Sequence, residues 1–206
     1  MEDITIREIV DQVVRGQIRI PAFQRGFVWE PERVAYLMDS IYKRYPFGSL
    51  LFWRTKERLR VEKELGPFEL PSPKDDYPVD YVLDGQQRVT SIFAVFQTDM
   101  KMKSKSGWMD IYFDLKAEKN AQESQFVALP EGSQEEGRHF PLKVLFDTTA
   151  YRQATKDLDN PTAQRVDELQ AVFKETRIPV QISKTEDKAT VAIVFERINR
   201  QGVPLD

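Results

Sequence analysis

The sequence predicts an α+β fold: a small mixed sheet flanked by helices. Helical and strand-like hydrophobic periods alternate irregularly along the 206 residues, long polar stretches separate them, and no internal repeat, heptad or low-complexity tract is present. A mixed α/β arrangement around the same small sheet stays open at this level. The length suits one domain over residues 1–206 and is enough to bury a real core.

The first element is a helix. Thr5-Ile6-Arg7-Glu8 forms a capping box, Ile6, Ile9, Val10, Val13 and Val14 recur at helical spacing, and Gly16 fits the left-handed position after the last turn. Ile18-Arg19-Ile20 alternates as a short strand until Pro21, and leads into Ala22–Trp29, where aromatics flank the pair Gln24-Arg25. Pro31 suits a first helical position, and Val34, Leu37, Met38, Ile41 and Tyr45 mark the buried face of a helix ending before Pro46. After the turn Pro46–Ser49, Leu50-Leu51-Phe52-Trp53 is apolar throughout and predicts an interior strand. Thr55 to Pro78 mixes charges with four prolines and predicts a hairpin and a poorly ordered loop rather than core.

Tyr81-Val82-Leu83 is a strand that stops at Asp84-Gly85, after which Val89, Ile92, Phe93 and Phe96 recur as the buried face of a helix. Lys101 to Gly107, with Lys103 and Lys105, reads as a solvated basic connection into a strand at Trp108–Phe113. Lys116 to Arg138 is polar, with a short strand near Gln125–Leu129. Asn160-Pro161 opens a helix with Ala163, Val166, Leu169 and Phe173 as its apolar stripe. Ile178–Ile182 is a strand that Pro179 assigns to a sheet edge or a strand beginning. Thr185 caps a last helix burying Ala189, Ala192, Val194, Phe195 and Ile198, with Gly202 as its stop.

Composition removes whole classes of chemistry. With no cysteine there is no disulfide, thiolate nucleophile or redox catalysis. The single histidine, His139, reads as a solvated loop residue and rules out a His-based metal cage within these residues. No apolar run approaches the roughly 20 residues of a membrane span, and the acidic start Met1-Glu2-Asp3 is unlike a basic leader, so a cytoplasmic protein is expected. A net charge of −3 argues against indiscriminate nucleic-acid binding and requires any basic site to be focused.

Three polar groupings stand at element junctions: Gln24-Arg25; Asp84-Gly85-Gln86-Gln87-Arg88; and Arg197-Ile198-Asn199-Arg200-Gln201-Gly202. Taken singly, each has a plain reading: a surface loop, a tight turn before a solvated helix start, and a basic helix end favoured by the macrodipole. Taken together they offer guanidinium forks for phosphate oxygens, amides for base or ribose groups, and one carboxylate, Asp84, that could hold Mg²⁺. A helix start after Asp84-Gly85 adds the positive end of the macrodipole. That set suits a nucleoside triphosphate.

Ile20–Trp29, Leu83–Ser91 and Phe195–Leu205 resemble, in order and spacing, the N-terminal domain of GmrSD-type restriction proteins. The resemblance covers essentially the whole chain, and the Asp-Gly-Gln-Gln-Arg segment is its most specific part. It implies a ParB/sulfiredoxin-like fold, and nucleotide binding and hydrolysis in prokaryotic defence against modified phage DNA. The implied site is Gln24, Arg25, Asp84, Gly85, Gln86, Gln87, Arg88, Arg197, Asn199 and Gly202. Family members usually continue into a helical, often His-Asn-His-type nuclease domain, so a chain ending at Asp206 is expected to be a fragment lacking its C-terminal domain. Sulfiredoxin chemistry itself needs a cysteine and is excluded.

The expected function is an Mg²⁺-dependent NTPase sensor domain. Asp84, Gln86, Gln87 and Arg88 would be its catalytic set, and Gln24, Arg25, Gly85, Arg197, Asn199 and Gly202 its nucleotide-binding set. DNA and the missing nuclease domain are its expected partners. Two rivals stay open: a DNA-binding module without turnover, and a metal-dependent nuclease in which Asp110, Asp114 or Glu196 joins Asp84.

Overall fold

The computed structural model describes residues 1–21, 30–59, 64–65, 68–70, 77–98, 100, 107–120 and 122–201. The architecture is α+β. Five strands form a mixed sheet in the order β1-β10-β3-β6-β2, built from Glu2–Thr5 (β1), Ile18–Arg19 (β2), Leu50–Thr55 (β3), Val79–Asp84 (β6) and Arg177–Ser183 (β10). β3 is antiparallel to β6, while β2 is parallel to β6 and β10 is parallel to β3. Leu50–Trp53 therefore lies in an interior strand, as its unbroken apolar run predicts.

One face of this sheet carries the main core. Phe52, Val82, Ile18 and Val180 pack there beneath the helices Ile6–Val14 (α1), Pro31–Tyr42 (α2), Gln86–Phe96 (α3) and Asn160–Glu175 (α5). The opposite face carries a smaller cluster, in which Trp53, Val79, Tyr81 and Leu83 receive Val191 of helix Lys188–Gln201 (α6). β6 is thus covered on both sides, so its side chains from Val79 to Leu83 are all buried. The one acid among them, Asp80, is satisfied by a two-pronged contact from Arg54 at 2.8 and 3.0 Å. Arg19 of β2 is a costlier inclusion: it is 2 % exposed, and its Nε and Nη2 have no hydrogen-bond partner among the described residues. Desolvation lowers its pKa, with Tyr81 opposing.

The predicted hairpin forms between Glu64–Leu65 (β4) and Phe68–Glu69 (β5), but Leu65, Phe68 and Leu70 are buried, so this segment feeds the core instead of standing clear of it. Within the Thr55–Pro78 stretch expected to hold a poorly ordered loop, residues 60–63, 66–67 and 71–76 lie outside the described residues, as do Lys103 and Lys105. A second sheet, in the order β8-β7-β9, comprises Asp110–Asp114 (β7), Phe126–Leu129 (β8) and His139–Pro141 (β9). His139 opens a strand, half-buried, with Nδ1 accepting from the Glu135 amide at 2.9 Å; the expectation of a solvated loop residue is corrected.

Local chemistry accounts for most boundaries. The Thr5–Glu8 capping box is present in full, and α5 opens at Asn160 as expected, capped by Asp159, which accepts from the Thr162 amide. α2 stops at Tyr42, one turn before the expected end, and Tyr45 is exposed. Pro179 lies near the start of an interior strand, opposite Asp3 of β1, and the pairing of β10 with β3 begins only at Val180. Thr155 ends a helix at Thr148–Thr155 (α4) that buries no residue, so periodicity offers no signal for it. In α6 the inward side chains are Val191, Phe195 and Ile198; Ala189, Ala192 and Val194 are exposed, which corrects the expected stripe by about one position. Asp187, not Thr185, meets the first turn of α6, accepting from Ala189 N and Thr190 Oγ1.

Helix α2 is tied to the segment that leads into β8 by a buried charge network. Lys43 Nζ donates to Asp39 Oδ2 at 2.7 Å and to the carbonyls of Asn120 and Glu123 at 2.6 and 2.8 Å, while Gln125 N donates to Asp39 Oδ1 at 2.9 Å. Both side chains are buried, at 2 % and 7 % exposure. Asp39→Ala is expected to strand the Lys43 charge and lower stability by about 3–5 kcal/mol in urea unfolding; a loss under about 1 kcal/mol would show that the network is solvated.

Candidate functional site

β6 delivers Asp84 to the surface directly after five buried residues, and Gly85 turns the chain into α3 at φ +96°, ψ +17°. This left-handed geometry is open to glycine at little cost. A Cβ at Gly85 would collide with Leu50 Cδ2 and stand 3.3 Å from Arg88 Nη2. As the N-cap residue, Gly85 has no side chain with which to cap the first turn, so the positive end of α3 is left to whatever binds beside Asp84. α3 itself is buried on all sides from Val89 to Phe96, more than the four-residue stripe predicted, and this holds its first turn rigidly.

Arg88 stands one turn into α3. Its Nη1 donates to the Phe47 carbonyl at 2.9 Å, and its Nη2 lies 3.7 Å from Asp84 Oδ2. The Arg88 side chain is 22 % exposed and that of Asp84 49 %. Gln87 is exposed and Gln86 half-buried, with the Gln86 carbonyl accepting from Thr90 Oγ1 at 2.8 Å. Five consecutive residues thus place a held cation, a carboxylate and an exposed amide around one helix start.

Topology brings further segments to this end of the sheet. β3 begins here, with Leu51 opposite Asp84, so the Pro46–Ser49 turn abuts the junction. β2 runs parallel to β6, so the chain leaves it toward the same end; Gln24 and Arg25 follow but lie outside the described residues. The start of α6 is pinned at the opposite end, where Trp53 Nε1 donates to the Thr185 carbonyl at 2.7 Å and Lys188 pairs with Glu57 at 2.8 Å. Phe195 then packs against the smaller cluster, and Arg197 is exposed on α6. Asn199 is described by its backbone alone, and Gly202 lies outside the described residues.

Two of the three carboxylates considered as partners for Asp84, Asp110 and Asp114, are otherwise engaged. Asp110 receives Lys143 Nζ and Trp108 Nε1, each at 2.9 Å. Asp114 receives Arg138 twice at 3.2 Å; desolvation opposes its ionisation, but Arg138 and the Lys116 amide hold its pKa below the ordinary value. Both sit on β7, in the other sheet. Among the described residues no three acids or histidines gather as a metal cluster. A lone carboxylate fits Mg²⁺ of the kind that takes its remaining ligands from phosphate and water, and it does not fit an all-protein cage.

The Pro46–Ser49 turn is the part of the site that sequence reasoning missed. Its one signal is Gly48, which adopts φ +90°.

An α+β domain with an arginine–carboxylate pair at a strand-to-helix junction is the class that this geometry defines. Residues 6–206 match the family model of the GmrSD restriction endonuclease, N-terminal domain, and the chain belongs to that family. It is also 25 % identical over 230 aligned residues to the uncharacterized protein MJ0686 of Methanocaldococcus jannaschii, a match covering 96 % of this chain and 39 % of that relative. The chain therefore spans about two fifths of the length of that relative. Among the described residues no helix is long and apolar enough to cross a membrane.

Gly85→Ala is expected to cost about 2–4 kcal/mol in urea unfolding, combining the left-handed backbone penalty with overpacking against buried Leu50. Wild-type stability in that variant would mean that the junction relaxes freely.

Proposed function

We propose that this domain binds a nucleoside triphosphate with Mg²⁺ at the Asp84–Arg88 junction and hydrolyses it, acting as the nucleotide-dependent sensor of a modification-dependent, anti-phage restriction protein. The observation that supports this most is Arg88: a guanidinium held at one nitrogen by the Phe47 carbonyl, at the start of a helix, beside an exposed carboxylate. Helix starts and arginine forks both favour phosphate oxygens.

In this reading Arg88 neutralises phosphate charge and fixes its orientation. Gln86 and Gln87 orient a phosphate oxygen or the attacking water, and Asp84 holds the metal or accepts a proton from that water. Asp84 would hold Mg²⁺, which would supply positive charge to offset that of the phosphate oxygens. The domain's contribution is positioning and electrostatics. The Asp84–Arg88 pair, at 3.7 Å, is long enough to open when phosphate takes the guanidinium, which frees the carboxylate for the metal. Gln24, Arg25, Gly85, Arg197, Asn199 and Gly202 complete the nucleotide pocket in this proposal, and DNA recognition and a nuclease domain belong to the full-length protein.

Thermal-shift screening of the common nucleoside triphosphates with Mg²⁺ is expected to raise the unfolding midpoint. Arg88→Ala should weaken the binding so found by about 1.5–3 kcal/mol in calorimetry, and an unchanged isotherm would remove Arg88 from the site. Asp84→Ala should abolish phosphate release; full release in that variant would end its catalytic role. Duplex DNA binding with a steep salt slope and no response to nucleotide would favour a binding module without turnover instead.

A further inference from the structure

We infer that the turn Pro46–Ser49 is a positioning element of the anion site, in which Gly48 supplies the space and Phe47 the acceptor that hold the Arg88 guanidinium in one orientation. A Cβ built on Gly48 would lie 2.7 Å from Arg88 Nη1, 3.5 Å from Cζ and 3.9 Å from Nη2. The first of these is closer than real Cβ contacts come. The group that must give way is the end of a flexible side chain, so the steric consequence of a side chain at position 48 falls on Arg88, beside the backbone strain that φ +90° imposes on the turn.

Gly85 closes the cradle from the other side, with its hypothetical Cβ 3.3 Å from Nη2 and 3.6 Å from Cζ. Two left-handed glycines from separate elements, at φ +90° and +96°, therefore flank one guanidinium. The Phe47 carbonyl takes Nη1 at 2.9 Å, whereas Nη2 faces Asp84 at 3.7 Å, beyond hydrogen-bonding reach. The hydrogen bond is spent on the edge facing the turn, and the other terminal nitrogen stays in an ion pair that a ligand anion can replace. Arginine has large rotamer freedom in solution, so ordering it before the ligand arrives removes part of the cost of binding. Gly48 is thus a positioning residue that acts through Arg88. Its effect on nucleotide binding rests on the function proposed above; its effect on Arg88 does not.

The test compares Gly48→Ala with Gly132→Ala. Gly132 shares the left-handed backbone, at φ +83°, but a Cβ there meets nothing within 4 Å. Both variants carry the backbone strain, and only the first should reach the site. The Arg88 Nε–H resonance, assigned by its loss in Arg88→Ala, is expected to shift and exchange faster in Gly48→Ala and to stay unchanged in Gly132→Ala. Calorimetry with ATP, GTP, CTP and UTP and Mg²⁺ should show roughly three- to tenfold weaker binding in Gly48→Ala alone. In an Arg88→Ala background, Gly48→Ala should add nothing. Should Gly48→Ala fail to fold, Gly48→Asn retains the Cβ with a milder left-handed penalty and takes its place. An unmoved Arg88 resonance in the position-48 variant, or a full loss of affinity that persists without Arg88, overturns the inference. If the wild-type protein binds none of the nucleotides, the functional reading fails while the resonance still decides whether Gly48 holds Arg88.

Discussion

The antiparallel register of β3 against β6 is the constraint on which the rest of the site depends. Leu51 stands opposite Asp84 after an irregularity between Leu51 and Phe52, and this places the turn that precedes β3 over the first turn of α3. A slip of one residue would exchange the two faces of β3, moving Trp53 out of the smaller cluster and Phe52 out of the main core. Burial on both faces makes that slip expensive. The contact between Phe47 and Arg88 is therefore a consequence of core packing some way below it.

The same double coverage explains the division of labour around Asp84. From Val79 to Leu83 every side chain serves the core or the Arg54–Asp80 pair, and at Asp84 the strand emerges with no packing duty left. α3 continues the logic in reverse: a polar, partly exposed first turn is followed by eight buried residues from Val89 to Phe96. A rigid helix with a wet start suits the capture of an anion, because the orienting groups are ordered before the ligand arrives. Arg19 shows what the arrangement tolerates nearby: a buried guanidinium with two donor nitrogens left unpaired among the described residues, a standing cost in a sheet otherwise well satisfied.

The chain belongs to the GmrSD restriction endonuclease N-terminal domain family, and the sequence motifs behind the initial resemblance fall within residues 6–206. Asp84 through Arg88 were legible because strand and helix periods change over at Asp84-Gly85, and a polar cluster at such a boundary has no packing explanation. Of the other two polar groupings, Gln24-Arg25 lies outside the described residues, and the third is described in side-chain detail only as far as Arg197 and Ile198 on α6. The turn at Phe47-Gly48 was not legible, because its contribution is a backbone carbonyl and an absent side chain.

Residue order by itself determined the local events: the Thr5 capping box, the stop of α2 before Pro46, the interior character of Leu50–Trp53 and the helix beginning after Gly85. Each follows from interactions among neighbours a few positions apart, which a linear pattern records. Tertiary structure alone decided that Pro179 could occupy an interior strand, that α6 turns Val191 inward in place of Ala192, and that Arg88 meets a carbonyl 41 positions earlier in the chain. Those outcomes depend on strand register and on which sheet face a helix covers. Both are settled by contacts between segments remote in sequence, and no local period encodes them.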